Sequence, residues 1–437
     1  MYVQHNLSWL NIVCLRRCAY GVFSLIFLLV VSGCTNKNQL SPSPNLFIDT
    51  AEGYPDDLIP ISERSTRAEL LYITDRIGTN SPTLGVSYGL QRSSSMALGR
   101  ISIRYGDKDD WQSLKQASQT SSRKQNIKLK IENVEELVRF PETPLPFEVT
   151  NGRLNTIPEA QEQYGQKESE LRGVFSARLA KTIKKEAFIF VPGFNNSFED
   201  GTLSLANIWH LSGRVGIPVL YSWPAGHSGF SGYLKDREAG EFSIFHLKQF
   251  IEMLARIPEL ERIHIIAHSR GTDVVTSALR ELVIAERAKG NSPRESLKIS
   301  NLILAAPDLD FGIVRQRLIA ERFGPAIGHI SVYVNPGDGA LRFSQRLATG
   351  TRFGRLTVDD LNESDRRVFE KIRNVSFIEI ENPGGGIGHS YFRDNPSVLS
   401  DIAISVMNNV PPGHEKRPLE FVGINFWLLK DGYPFSD

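Results

Sequence analysis

Residues 262–283 constrain this chain more than any other stretch. Arg262-Ile263-His264-Ile265-Ile266-Ala267 is an apolar, β-branched run, the pattern of a strand buried on both faces of a parallel sheet. His268-Ser269-Arg270-Gly271 follows as a tight turn. Val274, Val275, Ala278, Leu279, Leu282 and Val283 then recur at helical spacing. A strand, a serine turn and a helix in that order present a serine hydroxyl at the carboxyl edge of a sheet. The turn departs from Gly-x-Ser-x-Gly in having Ala267 first. Ser269 is the candidate nucleophile. The competing reading is a helix N-cap, a position serine also favours.

Length and charge set broad bounds. A chain of 437 residues can bury a large core. Lys+Arg 50 against Asp+Glu 49 gives no global electrostatic case for nucleic acid. The cysteines are Cys14, Cys18 and Cys34, so no disulfide or thiolate metal site can form beyond the N-terminal region. No His-Glu-x-x-His spacing occurs, and neither a metal nor a cofactor is expected.

The N-terminus reads as a targeting segment. Arg16 and Arg17 precede an apolar run from Ala19 to Val31, shorter than the ~20 residues that span a bilayer. The run ends at Val31-Ser32-Gly33-Cys34, which resembles a bacterial lipobox. The resemblance implies a signal peptide over 1–33 and a lipidated Cys34. With Thr35 next, it favours anchorage in the outer membrane, facing the periplasm. Residues 34–67, rich in Ser, Pro, Asn and Asp, read as a flexible tether. The folded domain is expected over 68–410, with 411–437 an extension of unassigned role.

Within 68–410 the first strands read as 69–74 and 100–105, with a Gly- and Ser-rich loop between them. Another strand is placed at 126–131, a proline-rich surface excursion over 140–166, and an amphipathic helix over 171–185. From there strands at 187–191, 217–222, 263–267, 301–306, 330–334 and 375–380 alternate with helical patterns such as 242–255 and 396–407. That rhythm predicts an α/β fold, a mostly parallel sheet with helices on both faces. Ligand sites in such sheets lie beyond the carboxyl ends of strands.

Chemistry-bearing residues fall at those ends. Pro307 and Asp308 follow Ala306, Asp338 follows Val334, and His389 closes a glycine-rich loop after Ile380. The order Ser, Asp, His is that of α/β-hydrolases. A serine hydroxyl is a poor nucleophile until a histidine accepts its proton, and a carboxylate fixes that imidazole's tautomer. Asp338 is favoured as the acid, with Asp308 the alternative. His268, beside the serine, is assigned to packing beneath the turn.

The motifs together carry a resemblance. Tyr72-Ile73-Thr74-Asp75-Arg76, Gly193-Phe194-Asn195-Asn196-Ser197-Phe198, Ser222-Trp223-Pro224-Ala225-Gly226, Tyr233 with Asp236, Ala306-Pro307-Asp308, Asp338-Gly339-Ala340-Leu341 and His389-Ser390-Tyr391-Phe392 occur in order. The chain resembles an uncharacterised, often membrane-anchored bacterial family of α/β-hydrolases whose elbow reads Ala-His-Ser-Met-Gly. The resemblance implies an eight-stranded-type sheet and a serine hydrolase of the esterase or lipase kind, acting on a carboxylic ester or related acyl bond of a small or lipid-like substrate. A binding or scaffolding lipoprotein of the same fold, and an acyltransferase using the same triad, are the alternatives. The expected oxyanion donors are the N–H of Arg270 and a second from Phe194 or Asn195, of which Phe194 is taken. Two positions depart from the family: Arg270 stands for Met and Pro192 for His. If the Arg270 guanidinium reached the cleft, it would favour anionic acyl substrates.

Overall fold

The computed structural model describes residues 37–48, 50, 53–348, 350–384 and 386–435. The expected signal peptide and Cys34 lie outside them. Strands in chain order are β1 Arg67–Ser81, β2 Gly85–Tyr105, β3 Leu129–Arg139, β4 Phe147–Thr150, β5 Arg153–Thr156, β6 Glu186–Val191, β7 Ile217–Ser222, β8 Arg262–His268, β9 Ile299–Ala305, β10 His329–Val334, β11 Val375–Ile380, β12 Glu420–Gly423 and β13 Phe426–Leu429. Among the described residues, 11 strands form one sheet in the order β12-β13-β11-β10-β9-β8-β6-β7-β1-β2-β3, and β4 pairs with β5 apart from it. From β13 through β1 every neighbouring pair is parallel. Antiparallel β2 and β3 extend one edge and β12 the other. Setting those three aside leaves eight parallel strands, seven at expected positions and β13 in the extension whose role was unassigned.

The apolar runs explain the centre. Every residue of β6 and β7 is buried. Successive side chains alternate between two cores. Ile189, Ile265 and Ala267 pack with Leu247 and Phe250 of the helix Gly229–Ala255 and with Val275 and Leu279 of the helix Gly271–Ala288. Phe188, Phe190 and Ile266 pack on the other face with Leu205 and Ile208 of the helix Phe198–Leu211 and with Val398 and Ile402 of the helix Pro396–Asn408. Each of these side chains except Ala267 contributes about 1.5–3 kcal/mol on burial. Helices therefore cover both faces, and the carboxyl ends of β6, β8, β9, β10 and β11 meet at one edge.

Four regions differ from the sequence reading. The Gly- and Ser-rich loop expected between 74 and 100 is instead a long hairpin, because β1 and β2 pair as far as Ser81 with Gly85. The excursion over 140–166 contains the β4–β5 hairpin and the first turns of the helix Pro158–Lys181. The tether is packed from Lys37 onward where described. The Leu40 N–H donates to the Ile127 carbonyl at 2.8 Å, the Leu129 N–H donates to the Asn38 carbonyl at 2.7 Å, and Leu40, Phe47, Tyr54 and Ile59 are buried. These apolar residues are irregularly spaced because each fills a separate hollow rather than one stripe.

The fourth is the extension 411–437, which completes the sheet edge. β13 pairs parallel to β11. Arg417 is fully buried, and its Nε and Nη2 reach the two oxygens of Asp401 at 2.9 and 2.8 Å. Tyr333 and Tyr433 donate to the same carboxylate at 2.6 and 3.0 Å. Removing one partner of a buried pair strands the other charge. Arg417→Met is expected to destabilise the fold by about 3–5 kcal/mol, read as the shift of the chemical-denaturation midpoint; a change within error would show that the extension is dispensable.

Candidate active site

Ser269 stands at the turn between β8 and its following helix with φ +51°. That left-handed backbone costs an L-residue about 1–2 kcal/mol. The turn is held on both sides. The Ser269 N–H donates to the Ala305 carbonyl at 3.0 Å, and its own carbonyl accepts from the Thr272 hydroxyl at 2.6 Å. Two glycines allow the close approach. A Cβ on Gly193 would lie 2.8 Å from the Ser269 Cβ, and one on Gly271 would lie 2.4 Å from the Pro192 carbonyl oxygen. Ala267 in the first motif position is fully buried within β8.

Asp338 and His389 are brought together from the ends of β10 and β11. His389 Nδ1 lies 2.7 Å from Asp338 Oδ2, and Asp338 is fully buried. The other carboxylate oxygen accepts the Leu341 N–H at 2.9 Å. Burial pushes the His389 pKa down, but the Asp338 charge and hydrogen bond, with Asp308 beyond, more than offset it, so the net shift is upward. The glycine-rich loop clamps this geometry. The Gly339 N–H donates to the Ile387 carbonyl at 2.9 Å and Asn335 Nδ2 to the Gly388 carbonyl at 2.8 Å. Gly388 has φ +66°, and a Cβ there would meet Asn335 Nδ2 at 2.7 Å. Glycine is needed at that position for the close approach.

Asp308 is engaged elsewhere. It accepts from the Tyr233 hydroxyl and from the Ser344 hydroxyl, each at 2.7 Å, with the Arg352 guanidinium 3.5 Å away. The carboxylate that accepts from His389 Nδ1 is that of Asp338. Arg270 does not reach the cleft in the way the sequence suggested. Its guanidinium pairs with Asp273 at 2.7 Å, one turn along the same helix, and lies 5.8 Å from the Tyr233 ring centre. Its charge is compensated by Asp273 rather than offered to the cleft. His268 stacks on Phe392 at 4.2 Å, and burial pushes its pKa well down, so it packs as a neutral ring.

The loop after β6 carries Phe194. Of the neighbouring pair Phe194 and Asn195, the Asn195 N–H is taken by Asp236 Oδ2 at 3.0 Å. Asp236 is fully buried and also accepts the Gly226 and His227 N–H groups, at 3.0 and 3.2 Å. Arg76 ties the loop from the other side, donating to the Asn196 carbonyl at 3.1 Å. Trp223 is core, fully buried with its N–H on the Pro192 carbonyl at 2.7 Å. The positioning roles of Asp236, Arg76 and Tyr233 were not read from the sequence. Their motifs were visible, but no spacing announces which loop a helix carboxylate will hold.

Ser269, His389, Asp308, Phe194 and Tyr233 line one cleft of about 1170 Å³, its open mouth included. Its remaining walls are largely apolar, among them Phe190, Leu341, Phe343 and Phe392. Among the described residues no group of three or more His, Cys, Asp and Glu side chains is placed to hold a metal ion.

A covered parallel sheet with a serine turn at its centre is the architecture of the α/β-hydrolases. The family model described as "Alpha/beta hydrolase of unknown function (DUF900)" matches residues 167–407, more than half of the chain, and the chain belongs to that family. A search of curated proteins finds no match.

Proposed function

We propose that this α/β-hydrolase is a serine hydrolase that cleaves a carboxylic ester or related acyl bond, anchored to the cell envelope through a lipidated Cys34. The observation that carries the reading is the 2.7 Å contact of Asp338 with His389 Nδ1, in a cleft that His389 shares with Ser269. A proton held on Nδ1 by Asp338 leaves Nε2 as the acceptor. Ser269 Oγ attacks the acyl carbon and gives its proton to Nε2. The oxyanion is held by the N–H groups of Arg270 and Phe194. The carbonyl re-forms, the bond to the leaving oxygen breaks, and His389 returns the proton to that oxygen. Water then repeats the sequence on the acyl-enzyme, releasing the acid and restoring Ser269.

The experiment is covalent labelling with a fluorophosphonate. Wild-type protein is expected to label stoichiometrically and Ser269→Ala not at all. A folded wild type that stays unlabelled would refute the hydrolase reading and favour a scaffold of the same fold.

A further inference from the structure

The geometry points to a lipid bilayer as the surface onto which this cleft opens, and to acyl lipids of that leaflet as its substrates. This rests on the serine-hydrolase reading and on lipidation of Cys34, and adds where the site faces and what it takes.

The first described residue is part of the cleft wall. Lys37 lines the same cleft as Ser269 and His389. It is pinned there, with Nζ 3.1 Å from Asp200 and 3.4 Å from Asn196, the last residue of the loop that Arg76 holds. The main chain at Asn38 and Leu40 is then fastened to Leu129 and Ile127. The described chain therefore begins in the cleft wall, not at a remote surface. Cys34 is three residues away, and three residues reach no more than roughly 11 Å. An acyl anchor on Cys34 holds that wall close to the headgroups.

The mouth is built for such a surface. Leu347 lines the cleft and is 39% exposed. Tyr233 lines it from the helix Gly229–Ala255, where Phe230 and Leu234 share a stripe four residues apart. Those two are 54% and 48% exposed. Arg342 and Arg346 are exposed on the helix Gly339–Ala348 that carries Leu347, and suit anionic headgroups. Exposed apolar side chains at Leu347 and within three residues of Tyr233 in sequence, with exposed arginines on the helix of Leu347, match an interfacial layer, where apolar groups enter and cations stay with the phosphates. The largely apolar walls within suit an acyl chain.

The test uses the full lipidated chain in vesicles of phosphatidylethanolamine and phosphatidylglycerol. An environment-sensitive fluorophore is placed through Leu234→Cys and, as control, through Ile284→Cys, about 20 Å down the helix that starts at the serine turn. Lipid-borne quenchers are expected to quench the first and spare the second. A flexible insertion of about 24 residues between Asn36 and Lys37 is expected to lower turnover of a bilayer acyl ester about tenfold, with a soluble short-chain ester turned over as before. No quenching at 234, equal quenching at both positions, or an insertion without effect would overturn the proposal. So would a wild type that labels with fluorophosphonate yet hydrolyses soluble esters alone. Quenching at 234 in a chain that does not label would instead overturn the hydrolase reading and leave the orientation standing.

Discussion

Ser269→Ala and His389→Ala are each expected to lower acyl-ester turnover roughly 10⁶-fold, and the double variant no further. The physical reason is that neither residue works alone. Without His389 nothing takes the Ser269 proton, and without Ser269 the imidazole has no oxygen to activate. Ser269 and His389 share one cleft, and Asp338 holds His389 at 2.7 Å. Residual catalysis would come from the Arg270 and Phe194 N–H groups and from binding, at roughly 10³–10⁴ over water. Single-turnover rates of the two single variants and the double check it. Additive losses would mean that Ser269 and His389 act in separate steps, and the proposed proton transfer would fall.

The second large effect is on Asp338. Asp338→Asn keeps the shape but is expected to cost roughly 10⁴-fold in turnover, because the amide presents the wrong partner to Nδ1. The pH profile should move with it. Hydrolysis needs His389 neutral, so activity is lost as pH falls through the His389 pKa. Burial pushes that pKa down and Asp338 pushes it up past the offset, leaving it above its ordinary value of 6.5. The wild-type acid limb of kcat/KM is therefore expected above that value. In Asp338→Asn the charge is gone and burial remains, so the limb moves to lower pH. Asp308→Asn removes only the smaller contribution and should move it less. A limb that stays put in Asp338→Asn would show that another group carries the titration.

The parallel centre and the chemistry at its edge were legible in the sequence for one reason. Strands buried on both faces must be continuously apolar, so 187–191, 217–222 and 375–380 stand out between turns. Residues with chemistry then fall just past their ends. The same reasoning missed the β1–β2 hairpin. Its far half is polar and largely exposed, as at Gln91 and Arg92, and Gly and Ser there read as loop although the backbone pairs on either side of two register shifts. It also missed the N-terminal packing, where Phe47, Tyr54 and Ile59 are spaced to fit hollows and carry no period. At the site, charge type alone drew Arg270 toward the cleft. Its partner Asp273 lies three residues along the helix, a spacing that pairs side chains on one face, and that ion pair decides where the guanidinium goes.

The left-handed backbone of Ser269 has a consequence for how this chain can drift. A fold freed from catalysis would gain stability at that turn by accepting glycine, which adopts φ +51° without steric cost. On the proposed reading, the serine turn trades stability for reactivity. Decay into a pure scaffold would relax it first, before the cores on either face of the sheet felt any change.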